Sequence, residues 1–227
     1  MDELSIRRAV REAYGRRATA TCCASVEDSA GELAAIPKFG VAPPIPLLRP
    51  QPGEVIVDLG SGPGRDVLEA ASLVGPTGRV IGIDSTPEMI FAGRRTAGEL
   101  GVANVEFRLA EIEHLPIESG SVDGIGSDCV INLSPDKAQV FQEAARILRP
   151  GGRLVVSDVV ADSEPTPSER ENLASWCACA AGAVTESEYL SLLRDAGFVD
   201  VEVAHRGGRY APNLSISVIR ARKPAGV

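Results

Sequence analysis

Asp58-Leu59-Gly60-Ser61-Gly62-Pro63-Gly64-Arg65-Asp66 follows directly on the apolar run Val55-Ile56-Val57, and this stretch decides the fold. A short apolar run ended by glycine reads as a buried strand. From Asp66 to Val74 the apolar residues recur at helical spacing, so the glycines join a strand to a helix. Glycines at alternate positions let the backbone turn sharply and let a ligand approach it closely. Open α/β sheets bind ligands at the carboxyl ends of their strands, beside the point where strand order reverses. This loop occupies such a place.

Downstream the alternation repeats. Arg79–Asp84 reads as a second strand with Pro87 where a helix would begin, Asn104–Leu109 as a third and Ser121–Ser127 as a fourth. A helix is expected from about Asp136 to Leu148, stopped by Arg149-Pro150-Gly151-Gly152, and Arg153–Asp158 is a fifth strand. Helical stretches follow near Glu169–Ala181 and Glu186–Ala196. The alternating strands Val199–Val203 and Leu214–Ile219 are then predicted to pair antiparallel. The expected fold is α/β and Rossmann-like, a mostly parallel seven-stranded sheet with helices on both faces. Residues 53–227 would form that domain. Residues 1–52 would supply an N-terminal helix over 2 to about 15, with Leu4, Val10 and Tyr14 on one face, and then a proline-rich lid or connection.

Two carboxylates select the ligand. A dinucleotide fingerprint wants a third glycine where Arg65 stands, and Asp58, just before the glycines, suits a cation better than a pyrophosphate. S-adenosylmethionine carries an ammonium and a sulfonium and no phosphate. Asp84, closing the second strand, stands where a carboxylate accepts hydrogen bonds from ribose hydroxyls. Over about residues 53–160 the chain resembles the class I methyltransferases. That resemblance implies an adenine pocket in Glu111-Ile112-Glu113-His114-Leu115-Pro116, with Glu113 meeting the amino group and Ile112 packing on the ring. The expected cofactor residues are Asp58, Gly60, Ser61, Gly62, Asp84, Ser85, Met89, Ile112, Glu113 and Ser127. His114 reads as a surface or packing residue.

Composition narrows the acceptor. With 31 acidic against 23 basic residues the formal net charge is −8, which repels a polyanion and argues against a nucleic-acid substrate. No stretch approaches the roughly 20 apolar residues that a membrane-spanning helix needs. The first residues carry no secretory pattern, so the expected location is the cytoplasm.

Cys22, Cys23, Cys129, Cys177 and Cys179 are an odd set and do not read as a disulfide framework. Cys129 follows the fourth strand, in the segment expected to face a methyl donor. A thiolate there is a soft ligand for a soft acceptor. On a helix, Cys177 and Cys179 would point roughly 200° apart, so one of them is expected to be structural. Their C-x-C spacing matches neither a C-x-x-C redox motif nor a zinc knuckle.

Val57–Asp66, Thr86-Pro87-Glu88-Met89, Glu111–Pro116 and Cys129-Val130-Ile131-Asn132-Leu133-Ser134-Pro135-Asp136-Lys137 closely resemble the arsenite methyltransferases. The likeness extends from Val10 to Pro224, and the segment around Cys129 is its most specific part. It implies a methyltransferase that passes methyl groups from S-adenosylmethionine to thiolate-bound trivalent arsenic, turning arsenite into methylated arsenicals. It also implies a small-thiol reductant such as glutathione or thioredoxin. Carried over by motif, Cys129 and Cys179 are the arsenic ligands and catalytic thiols, with Cys22 and Cys23 as further candidates. One departure stands out: Val41, in Phe39-Gly40-Val41-Ala42-Pro43-Pro44, occupies a position where many members have cysteine. A third thiol would then come from Cys22, Cys23, Cys177 or a small molecule. Two alternatives remain open, an organic or selenium acceptor and a non-catalytic metalloid-binding protein.

Overall fold

The runs read as strands enter one seven-stranded sheet in this computed structural model, which describes residues 2–22 and 42–226. Cys23, the side chain of Cys22 and the departure at Val41 lie outside the described residues. In chain order the elements are α1 (Glu3–Cys22), α2 (Ile45–Leu48), β1 (Val55–Leu59), α3 (Arg65–Val74), β2 (Arg79–Asp84), α4 (Pro87–Glu99), β3 (Val105–Leu109) and β4 (Val122–Asp128). A 3₁₀ turn (Ile131–Leu133) follows. Then come α5 (Lys137–Ile147), β5 (Leu148–Ala161), α6 (Pro167–Arg170), α7 (Leu173–Cys177), α8 (Glu186–Asp195), β6 (Val199–Ala211) and β7 (Leu214–Arg222).

Strand order is β3-β2-β1-β4-β5-β7-β6. The first five strands in that order pair in parallel, while β7 pairs antiparallel with β5 and β6. The sheet is therefore mixed, with its parallel part at the expected site. Successive side chains alternate between its faces. Val57, Leu59, Ile125 and Val156 pack on one side with Phe141 and Tyr189, whereas Ile56, Val80 and Val155 pack on the other with Val67 and Leu68. Strand order reverses between β1 and β4, which leaves a crevice at their carboxyl ends.

Three local readings change. The N-terminal helix runs past residue 15 to Cys22, and it buries Ile6, Val10 and Ala18 while Leu4 is 73% exposed. Its contact surface is set by what it packs on, including Trp176 and Ala181. The helix expected over 169–181 is broken. The Asn172 side chain accepts from the Ala174 and Ser175 N–H groups and starts a new helix, α7, which stops at Cys177. Cys179 has φ +58° and lies outside any helix. Finally, β5 begins at Leu148, with Arg149–Gly152 already inside the strand, so helix and strand abut without a loop.

Candidate functional site

The crevice is a cavity walled by the glycine loop, the ends of β2 and β4, the Glu111–Glu113 segment and α1. Its loop is built by main-chain bonds. The Gly60 and Ser61 N–H groups both donate to the Ile83 carbonyl, at 2.8 and 2.9 Å, so the turn after β1 is tied to the end of β2. Gly60 has φ +73°, and a Cβ there would overlap the Val130 side chain, so only glycine fits.

Asp84 sits where the loops meet. Its Oδ2 accepts the Gly62 N–H at 2.9 Å and its Oδ1 the Thr86 N–H at 2.8 Å. Burial raises its pKa, and these two bonds act against that rise. Asp58 is 3% exposed, and burial pushes it well above the ordinary carboxylate range, with Asp66, Asp128 and Asp84 adding to the shift. These four carboxylates face one cavity. Such a wall favours a cationic ligand.

Of the ten expected cofactor residues, nine line the cavity: Asp58, Gly60, Ser61, Gly62, Asp84, Ser85, Met89, Ile112 and Glu113. Ser127 does not reach it. Ser127 pairs with Leu59 and so shares the apolar face of the sheet, fully buried. Because β4 continues one residue further, Asp128 takes the wall position instead.

In the segment expected to meet the adenine, Glu113 is engaged by the protein itself. Its Oε1 accepts from the Ser134 hydroxyl at 2.6 Å and meets Arg7 Nη1 at 3.0 Å. Arg11 Nη2 bonds Glu111 Oε1 at 2.7 Å, so two arginines of α1 clasp this segment. Arg7, Val10 and Tyr14 are part of the cavity wall.

Cys129 opens onto the same cavity, and Cys179, which is not part of its lining, contacts Cys129. Cys179 Sγ donates to the Cys129 carbonyl at 3.2 Å, and both residues are nearly buried, at 3% and 6% exposure. The hydrogen bond with Cys179 and then burial hold the Cys129 thiol above its ordinary pKa. Cys129 is therefore poised as a thiol, not as the thiolate that a cationic neighbour would produce. Cys177 turns away, and its Sγ meets the Ala9 carbonyl of α1 at 3.6 Å. The two sulfurs separate because α7 ends between them, not because they share a helix.

Several residues around the thiols carried no signal in the sequence beyond their place in a helix or strand. The Tyr14 hydroxyl is raised in pKa by burial first and then by Cys179 and Cys129, with which it packs. Asp158, at 1% exposure, is pushed to about 7 by burial. Lys137 is brought down to about 8 by burial, its Nζ donating to the Ser134 carbonyl and standing 5.7 Å over the Trp176 ring.

The profile of the family described as "Methyltransferase domain" matches residues 50–197. An arsenite methyltransferase of Halobacterium salinarum is 44% identical over 190 residues, covering 77% of this chain and 48% of the relative. One of Aquipseudomonas alcaligenes is 43% identical over 152 residues, covering 64% and 44%. This chain thus spans about half the length of the curated relatives it matches. Among solved structures, an arsenic(III) S-adenosylmethionine methyltransferase from Chlamydomonas reinhardtii superposes with a TM-score of 0.70 at 32% identity, covering 86% of this chain and 72% of that one.

Proposed function

Because the chain belongs to the arsenic(III) S-adenosylmethionine methyltransferase family, we propose that it transfers a methyl group from S-adenosylmethionine to trivalent arsenic held by Cys129 and Cys179. One observation carries the reading: the thiol pair opens through Cys129 onto the cavity walled by the glycine loop and Asp84. S-adenosylmethionine supplies the electrophilic methyl. Asp84 takes the ribose, the carboxylates around Asp58 face the cationic end, and Ile112 and Met89 pack along the adenosine.

Arsenite carries hydroxyl groups on arsenic. Each thiol replaces one of them, and the thiol proton leaves with the hydroxide as water. The raised pKa of the Cys129 thiol suits that exchange, since the proton is consumed in it. The arsenic lone pair then forms the As–C bond as the methyl–sulfonium bond breaks, and S-adenosylhomocysteine leaves as a neutral thioether. No general base is needed; alignment and exclusion of water do the work. Returning arsenic to the trivalent state takes two electrons, from a thiol reductant such as glutathione or thioredoxin. In this reading residues 1–52 act as lid and connection, supported by the Arg7 and Arg11 contacts, and residues 53–227 are the methyltransferase domain. Among the described residues no helix is long and apolar enough to cross a membrane. The acidic net charge, which repels a polyanion, supports an enzyme that does not act on nucleic acid, and we place it in the cytoplasm.

The substrate site is tested by intact-mass spectrometry after incubation with arsenite. One arsenic per chain is expected, lost when Cys129 and Cys179 are alkylated. Binding that survives alkylation of this pair would place arsenic elsewhere.

A pH dependence follows from Asp58. Its raised pKa means the empty site holds a proton to higher pH than a free aspartate does, and a cation favours the carboxylate. Binding S-adenosylmethionine should therefore release protons and weaken as pH falls through the empty-site pKa. S-adenosylhomocysteine, lacking the sulfonium, should depend on pH less. Calorimetry in buffers of different ionisation heat reads both effects, and binding of S-adenosylmethionine without proton release would refute the carboxylate assignment.

A further inference from the structure

Cys129 and Cys179 both have φ +58°, a left-handed conformation disfavoured for any residue with a Cβ. Two adjacent turns in that state need something to hold them together. Asn132, fully buried, stands at their junction. Its Nδ2 donates to the Val159 carbonyl at 2.6 Å and its main-chain N–H to Asp158 Oδ2 at 3.2 Å. Asp158 is fixed in turn by the Val159 N–H at 2.9 Å and the Tyr189 hydroxyl at 3.3 Å. These bonds fasten the turn after Cys129 to the end of β5, while the Cys129 N–H donates to the Ser157 carbonyl at 2.8 Å.

The other side of Asn132 meets the turn that carries Cys179. A Cβ at Gly182 would overlap the Asn132 carbonyl and press on the Trp176 ring. The turn from Cys179 to Gly182 therefore docks directly on the Asn132 backbone, with no side chain between. Cys179 Sγ on the Cys129 carbonyl closes the arrangement.

We propose that Asn132, seated against Gly182, is the positioning residue that sets the spacing of the Cys129 and Cys179 thiols. Two sulfurs bridge one small atom only when both lie within its coordination sphere, and loosely held turns would forfeit that pre-organisation. What the pair holds rests on the arsenic reading above; the spacing itself is a property of two sulfurs and is measurable without arsenic.

The test uses the full chain with Cys22, Cys23 and Cys177 changed to serine, so that Cys129 and Cys179 are the remaining thiols. Asn132→Ala and Gly182→Ala are compared with this parent, using three probes. Phenylarsine oxide is a trivalent arsenical that bridges two thiols. Diamide joins neighbouring thiols into a disulfide while taking up their two hydrogens to become a hydrazine. S-adenosylhomocysteine reports on the rest of the fold. The affinity for S-adenosylhomocysteine should stay within about twofold of the parent, as for separate sites. Phenylarsine oxide affinity and the rate of disulfide formation should each fall by at least about tenfold.

Parent-like values for both thiol probes would overturn the proposal. So would simultaneous loss of S-adenosylhomocysteine binding in Asn132→Ala, which would make Asn132 a residue of the general fold. If Gly182→Ala fails to fold, Asn132→Ala decides alone, since it adds no volume. A parent that forms the disulfide readily but ignores the arsenical, with variants that form it slowly, would refute the arsenic reading and support the spacing role. A parent that does neither refutes both.

Discussion

Changing Cys129 or Cys179 to serine is expected to lower methyl transfer to trivalent arsenic by about three orders of magnitude, roughly 4 kcal/mol in the barrier. Serine keeps the size but offers a hard, protonated oxygen to a soft acceptor. Without both sulfurs the arsenic loses its fixed approach to the methyl group, and a reaction that needs no base depends heavily on such alignment for its rate. The cofactor should still bind. Cys179 is not part of the cavity lining, and the cofactor residues proposed above do not include Cys129. Single-turnover assays with arsenite and with methylated trivalent arsenic, alongside calorimetry with S-adenosylhomocysteine, measure the two effects separately. Near-normal turnover on methylated arsenic would remove the pair from the mechanism. Retained transfer to an organic or selenium acceptor, with arsenicals inert, would favour that acceptor class. Cys177→Ser should be close to wild type, because its sulfur bonds α1 and not the thiol pair.

Asp84→Ala should weaken cofactor binding by about 1.5–3 kcal/mol, the range for hydrogen bonds lost to a charged group, or roughly 10- to 150-fold in Kd. The structure gives the substitution a second consequence. Asp84 also receives the Gly62 and Thr86 N–H groups, so its removal frees the glycine loop and the start of α4 together. Asp84→Asn keeps an acceptor for one of those bonds and should lose less than alanine. Titration calorimetry against S-adenosylhomocysteine decides, and an unchanged Kd for Asp84→Ala would show that the ribose is held elsewhere.

What was legible in the sequence was local. Asp58, the glycines and Asp84 lie on consecutive elements, and an apolar run followed by glycines has few alternatives, so the first strands, the crevice and these wall residues could be read from spacing, whereas Ile112 and Glu113 came from the resemblance to the methyltransferases. Ser127 shows where this fails. One extra residue in β4 moves the wall position to Asp128, and strand ends are the least defined part of such a pattern. Cys179 shows a second kind of failure. Helical spacing across 169–181 hid the cap at Asn172 and the left-handed turn at Cys179, which docks against Asn132. Arg7 and Tyr14 stayed silent because their partners are about a hundred residues or more away in the chain. No periodicity records such contacts.

The most direct measurement incubates the protein with S-adenosylmethionine labelled with deuterium in its methyl group, arsenite and glutathione, and then separates the arsenic species by mass. The account predicts methylated arsenicals carrying the intact trideuteriomethyl group, with one S-adenosylhomocysteine formed per methyl transferred. Arsenite recovered unmethylated, from protein shown to bind both S-adenosylhomocysteine and arsenic, would contradict it.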